Sequence, residues 1–398
     1  MASFAKNIKG DKVIWTVVLL LSVFSILAVY SSTGLLAYRK QGGNTEYYLV
    51  KQLIILMFGW LLMYLTHLIK YTYFSRISQI GLILCIPLLL VTLISGTNYN
   101  EANRWLTVPI LNVTFQSSDI AKLFLIMYLA RVLSKKQEMV MDFRKGFLPV
   151  IVPAIIICAL ILPANFSTAA ILFVTCMVVM FIGRISFKYI VSLVVLGVFA
   201  IILIFGLSQI APTLFPRGET WMGRVEHFID KKEADPDATY QVTQAKIAVV
   251  SGGILGKSPG KSTQRNFLPH PYSDFIFAII IEEYGLIGGS FVLLLYLILF
   301  FRVIRIANKC QGNFGTLLSV GIGFSLVFQA LINMAVAVNL FPVTGQPLPL
   351  ISMGGTSIWF TCISIGIILS VSRRTEIETK DGTEIDILKE AQPVTAQV

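Results

Sequence analysis

Apolar residues along this chain come in blocks of about twenty, the length that crosses the hydrocarbon of a bilayer, and short polar stretches separate the blocks. Ten blocks predict ten spanning helices, at roughly 13–36, 48–69, 77–95, 117–134, 147–163, 167–183, 188–210, 273–301, 314–340 and 348–372. The fourth carries Asp119 and Lys122, and the fifth and sixth meet near Pro163. The expected fold is therefore all-α: a polytopic membrane helix bundle with about ten transmembrane helices and one large extracytoplasmic loop, 211–272. Residues 1–374 form the transmembrane domain. The tail 375–398 is polar, lacks a hydrophobic face and is expected to be a disordered cytoplasmic segment.

Composition agrees. The 398 residues are 56% hydrophobic and 13% charged, against about 25% charged in a soluble domain. The net charge of +11 could suggest nucleic acid, but the placement of the basic residues argues against it. Lys70 and Arg76, then Arg131, Lys135, Lys136, Arg144 and Lys145, then Arg184 and Lys188, then Arg302, Arg305 and Lys309, and finally Arg373 and Arg374 fall in alternate gaps between spans, with Arg39 and Lys40 in an outer gap as the exception. That alternation is positive-inside topology, with both termini expected in the cytoplasm. The first span follows Lys6, Lys9 and Lys12 without a small-residue cleavage site, so it is expected to stay uncleaved. Loop 211–272 carries both signs, and long loops escape the charge rule and are usually functional. Cys85, Cys158, Cys176, Cys310 and Cys362 lie in apolar or inner segments, which gives no disulfide framework. His67, His227 and His270 are too scattered for zinc.

Several constellations could carry chemistry. The stretch from Asn266 to Ala278 closes the polar loop with Asp274, which opens the eighth apolar block. A carboxylate there can cap a helix or, partly desolvated, serve as a general base. Glu282 and Glu283 follow inside the block, where a charge costs roughly 2.5–3.5 kcal/mol. On one unbroken helix Glu282 lies roughly 12 Å deeper than Asp274 and needs a cation. Lys122, one helical face from Asp119, is expected to pair with Asp119 or to bridge to Glu282 as part of a structural ion network. In the loop, Gln241 and Gln244 stand one turn apart, and Ser251-Gly-Gly leads into Gly256-Lys257-Ser258 and Gly260-Lys261-Ser262. A nucleotide P-loop is excluded because Ser251 and Leu255 occupy the position of its first glycine, although the turn and Lys257 could still hold a phosphate. Asp235-Pro-Asp237 is better explained as a turn than as a metal site. Arg104 beside Trp105 could meet an anionic ligand or anchor at the interface. Between the last two blocks, residues 341–357 include Pro342, Pro347, Pro349, Gly345, Gly354 and Gly355. That backbone cannot be helical throughout, so it must line protein or a wet cavity.

Taken together, these residues resemble the SEDS (FtsW/RodA/SpoVE) family along essentially the whole length to Arg374. The features in register are Arg104-Trp105, Gln116 with Lys122, Gln241 and Gln244, Ser251-Gly-Gly, Gly256, Gly260, Leu268-Pro269, Asp274-Phe-Ile-Phe-Ala, Glu282-Glu283-Tyr-Gly, Asn333, Pro342-Val-Thr-Gly-Gln-Pro-Leu-Pro, Ile351-Ser352 and Gly354-Gly355. The resemblance implies a peptidoglycan glycosyltransferase at the outer face of the bacterial inner membrane, more similar to the division type. It would polymerise lipid II with inversion and release undecaprenyl pyrophosphate. An elongation-type polymerase or a lipid II flippase is the alternative. The family's essential acid maps to Asp274. Arg104, Trp105, Arg224, Gln241, Gln244, Lys257 and Ser352 are the implied substrate-binding residues, and a class B penicillin-binding protein and other division proteins are the implied partners. No cofactor is implied with certainty. A divalent cation, Mg or Mn, suits a pyrophosphate leaving group, yet no ligand set is legible. The chain departs from the family at Gln116-Ser-Ser-Asp119 (for Gln-Pro-Ser-Glu), at Asn165 (for an acid) and at His270-Pro-Tyr-Ser273 (for Glu-Ala-His-Thr).

Overall fold

Each expected span is helical in the computed structural model, which describes residues 9–99, 102–108, 113–210, 218–229 and 236–390. In chain order the helices are α1 (Lys12–Ser32), the short α2 (Gly34–Gln41), α3 (Thr45–Leu68), α4 (Tyr71–Ser95), α5 (Ser117–Lys135), α6 (Leu148–Ile161), α7 (Phe166–Ile182), α8 (Phe187–Ile210), α9 (Gly218–Ile229), α10 (Pro236–Gly252), α11 (Ile276–Lys309), α12 (Asn313–Ala337) and α13 (Thr356–Glu390). Among the described residues, 7 helices are long and apolar enough to cross a membrane, and Phe166–Ile182 and Phe187–Leu203 are shorter apolar helices. The charges of α5 keep it below that measure, as its sequence foretold. α12 and α13 are the most enclosed, while α3, α4 and α11 keep bare apolar faces for lipid. α13 runs on to Glu390, so the stretch expected as a tail begins as helix. Glu376, Glu378, Lys380, Glu384 and Lys389 are good helix formers.

Polar side chains gather the basic ends of the helices at one end of the bundle. Asp11 caps α1 by accepting from the Val13 and Ile14 amides (2.9 and 3.3 Å) and pairs with Arg302 Nε at 2.7 Å. Arg373 donates to the Leu68 carbonyl at 2.8 Å, and Arg131 to Ser75 Oγ at 3.0 Å. The opposite, loop end carries α9, α10 and a small sheet.

That sheet was not legible as spans. β1 (Thr97–Tyr99), β2 (Ala102–Val108) and β3 (Val113–Gln116) form an antiparallel meander between α4 and α5, with Trp105 opposite Gln116. Apolar and polar residues alternate through Val113-Thr-Phe-Gln116, the period of a half-buried strand.

The largest correction concerns α11. Gly285 breaks it with φ +69, so Ile276–Tyr284 is a separate buried half-helix. Residues 286–309 alone measure roughly 36 Å, enough to make the crossing. A break leaves carbonyls and amides without helical partners, and the glycine-rich turn supplies them. The Lys257 and Ser258 amides donate to the Glu282 and Glu283 carbonyls (2.9 and 3.0 Å). The Leu286 and Ile287 amides donate to the Gly253 and Ile254 carbonyls (2.9 and 3.3 Å). The two backbones lie so close that a Cβ on Gly256 would collide with the Glu283 carbonyl.

The proline-rich segment between α12 and α13 dips into the bundle, and polar side chains serve its carbonyls, as irregular backbone at membrane depth requires. Asn333 donates to Gln346 O at 2.7 Å, Gln329 to Pro347 O at 3.0 Å, Tyr296 to Pro349 O and Ser25 to Ile351 O at 2.9 Å. Ser25 lies seven residues below the end of α1 and Tyr296 eleven beyond Gly285, which sets the segment roughly 10–16 Å below the loop end.

Candidate functional site

Asp274 sits where the loop meets this sunken segment. Ser352 Oγ donates to the Ser273 carbonyl at 2.6 Å and accepts from the Leu348 amide at 2.8 Å, and the Met353 amide donates to Tyr272 O at 2.9 Å. Asn333 donates to the Asp274 carbonyl at 2.9 Å, and Ser273 Oγ to its Oδ1 at 2.8 Å. The backbone on both sides of the carboxylate is thus fixed. Asp274 precedes the half-helix by two residues, so it reaches into a cavity instead of capping a span.

That cavity has a volume of about 440 Å³. The sheet supplies one wall through Trp105, Thr114 and Gln116. The proline-rich segment supplies another through Gly345, Pro347 and Met353. Lys51, Asn165, His270 and Tyr272 complete the polar lining. His270 holds a left-handed φ of +55 and contacts Tyr272 Oη through Nδ1 at 3.2 Å. Positive φ is uncommon for residues other than glycine, and histidine is among those that adopt it most readily.

The structure divides the sequence-predicted residues. Asp274 and Trp105 line the cavity. Arg224, on α9, lies beside it: burial pulls its guanidinium below the usual range and the Asp274 carboxylate pulls it back up. Ser352 is buried and shapes the backbone at Asp274. Gln241 and Gln244 are half-buried on α10, away from the cavity lining. The side chains of Arg104, His227 and Asp237, and all of Asp235, lie outside the described residues.

The expected ion network is two separate ones. Lys122 pairs with Asp119 at 3.4 Å and donates to Gln329 Oε1 at 2.9 Å, and through Gln329 it supports the proline-rich segment. It does not reach Glu282. The break at Gly285 instead carries Glu282 and Glu283 to the loop end, where Ser31 at the close of α1 donates to Glu283. Asp274 is therefore the deeper acid, the reverse of the unbroken-helix expectation. Glu282 is fully buried and pairs with Lys257 at 2.7 Å. It also accepts from Ser262 Oγ, from the Thr263 amide and hydroxyl (3.1 and 2.8 Å) and from the Gln264 amide at 3.2 Å. The turn that looked ready for a phosphate has its anion already: the protein's own carboxylate fills it.

Lys51 is the residue sequence reasoning missed. It is exposed on α3 and brings the one fixed positive charge among the described residues of the lining. Only its position inside an apolar block hinted at a role. Asn165, which replaces the family's acid, caps α7 by accepting from the Thr168 amide at 3.3 Å. Asn165→Ala loses that cap and should cost about 1 kcal/mol in an unfolding titration. Among the described residues no group of three or more His, Cys, Asp or Glu could hold a metal, and Asp274 is the only carboxylate in the lining. The donor set does not fit a resident cation, and no step below uses one.

Asn165 also borders a second cavity of about 280 Å³, almost wholly apolar, with Trp221 and Arg224 in its lining.

Comparison with known proteins places the whole arrangement. The FtsW/RodA/SpoVE model, described as a cell cycle protein, matches residues 11–377. The stage V sporulation protein E of Bacillus subtilis (strain 168) is 31% identical over 374 residues, covering 92% of this chain and 98% of its own. A probable peptidoglycan glycosyltransferase FtsW of the same organism is 33% identical over 362 residues, covering 89% and 88%. The fold is shared with the rod shape determining protein RodA of Thermus thermophilus (TM-score 0.66, 21% identity, 92% and 98% covered). It is also shared with a chain from a structure described as coordinating polymerization and crosslinking in a peptidoglycan synthase complex (TM-score 0.69, 23% identity, 92% and 98% covered). With its sunken proline-rich segment, broken eighth span and helical bundle, the chain belongs to the FtsW/RodA/SpoVE family of multi-pass membrane proteins.

Proposed function

We propose that this chain is a peptidoglycan glycosyltransferase that polymerises lipid II at the outer face of the bacterial inner membrane during division, with both termini cytoplasmic and the loop end outward. The observation that carries the reading is a single fixed carboxylate, Asp274, in a polar cavity that adjoins an apolar one. The substrate has the same two halves, a sugar and a lipid joined by pyrophosphate. Relatives named FtsW favour the division role. The crosslinking partner that the family resemblance implies is a class B penicillin-binding protein, and a chain sharing the fold comes from a structure described as coordinating polymerization and crosslinking.

In this mechanism Asp274 takes the proton from the 4-hydroxyl of the acceptor's N-acetylglucosamine. That oxygen attacks the anomeric carbon of the donor's N-acetylmuramic acid from the face opposite the leaving group. The bond to undecaprenyl pyrophosphate breaks, and configuration inverts. Charge develops on the leaving pyrophosphate, and fixed cations near it lower the barrier. Lys257 is engaged by Glu282, so that role falls to Lys51 and Arg224. Lys51→Met should lower kcat/KM for lipid II by about 10–10²-fold, while Lys51→Arg keeps most of it. Strand formation from purified lipid II, resolved by gel, reads both variants. Wild-type strands with no loss in Lys51→Met would remove Lys51 from the mechanism, and no strands from the wild type with its partner present would remove the function.

A further inference from the structure

The second cavity differs from the first in almost every property. Ala170 and Val174 from α7 and Phe328 and Ile332 from α12 line it, together with Trp221, which packs on Phe166 with ring centroids 5.4 Å apart. Arg224 is the one charged residue among the described residues of that lining. A sugar or peptide placed there would leave its polar groups unpaired against apolar walls. An alkyl chain would not, and an anion attached directly to that chain would rest on Arg224. Size narrows the occupant. A cavity of about 150 Å³ takes a benzene ring, so about 280 Å³ takes roughly a dozen carbon atoms, about those of two isoprenoid units. The shared wall at Asn165 lets a pyrophosphate lie between the two cavities, with its sugar toward Asp274 and its lipid toward Phe328.

We propose that this apolar cavity holds the first two isoprenoid units of the polyprenyl pyrophosphate and leaves the rest of the chain to the bilayer, so that the enzyme gauges only the pyrophosphate-proximal end of its lipid. The inference rests on the substrate reading above. An ordinary phospholipid is a poorer match, because a glycerol ester separates its phosphate from its acyl chain, whereas an isoprenoid starts at the phosphate itself.

The test uses the full chain in nanodiscs and displacement of labelled undecaprenyl pyrophosphate. The competitors are inorganic pyrophosphate, geranyl pyrophosphate (two isoprenoid units), farnesyl pyrophosphate (three) and unlabelled undecaprenyl pyrophosphate. Affinity should rise about 10²-fold from inorganic to geranyl pyrophosphate and then change by less than about threefold per competitor, once partition into the bilayer is subtracted with protein-free discs. Ala170→Phe, which fills the cavity, should erase the first step while binding inorganic pyrophosphate as before. Val174→Phe takes its place if that variant does not fold. A steady rise with chain length that Ala170→Phe leaves intact would overturn the proposal, as would phosphatidylglycerol competing as well as undecaprenyl pyrophosphate. Strands formed from lipid II without the step at geranyl pyrophosphate defeat this inference alone. Absence of strands defeats the substrate reading beneath it.

Discussion

Asp274→Asn should form glycan strands from lipid II at least about 10²-fold, and up to about 10⁴-fold, more slowly than the wild type, the range a positioned base supplies. The substitution keeps the size of the side chain. Its Oδ1 can still accept from Ser273, and Asn333 and Ser352 still hold the backbone on either side. The cavity therefore survives with its base removed, and thermal unfolding of the variant should match the wild type. Among the described residues Asp274 is the only carboxylate in the lining, so no second carboxylate can take over the proton. A rate within about threefold of wild type would move the base elsewhere, with His270 next in line.

The second large effect concerns stability. Lys257→Met should destabilise the protein by about 3 kcal/mol, because it strands the Glu282 carboxylate, fully buried, without its cation. That value lies at the low end for a broken buried pair, since Lys257 is itself one-third exposed (32%). The loss should fall on the stitch across Gly285 and loosen the turn 253–264 first, which amide exchange can follow. Adding Glu282→Gln to Lys257→Met should restore most of the stability, since a neutral amide needs no cation. A double-mutant cycle isolates the coupling. If the two single variants each cost little and simply add, the pair does not hold the break together.

How much of this was legible in the sequence depended on the range of the forces involved. The spans were legible because length, apolarity and the alternation of Lys and Arg are local or periodic properties. Asp274 stood out because a charge at the mouth of an apolar block is costly wherever the block folds. The proline-rich segment had to be buried in protein, and the structure shows which side chains satisfy it. The break at Gly285 was not legible, since Gly within Glu282-Glu-Tyr-Gly-Leu286 reads as a tolerated helix residue. Only the backbone of residues 253–258, nearly thirty positions earlier, makes the left-handed turn affordable. The depth of Glu282 and the partner of Lys257 followed from that break, so both expectations inherited the error. Lys51 escaped notice for a related reason: it belongs to no motif, and only the packing of α3 against α13 brings it into the lining it shares with Asp274.

The most direct measurement counts products. The purified chain with a class B penicillin-binding protein partner is given lipid II, and glycosidic bonds formed are compared with undecaprenyl pyrophosphate released. One pyrophosphate should be released for each bond formed, with both absent in Asp274→Asn. Lipid II carried across the bilayer with neither product formed would contradict it and make the cavity a passage for the lipid instead of a site of glycosyl transfer.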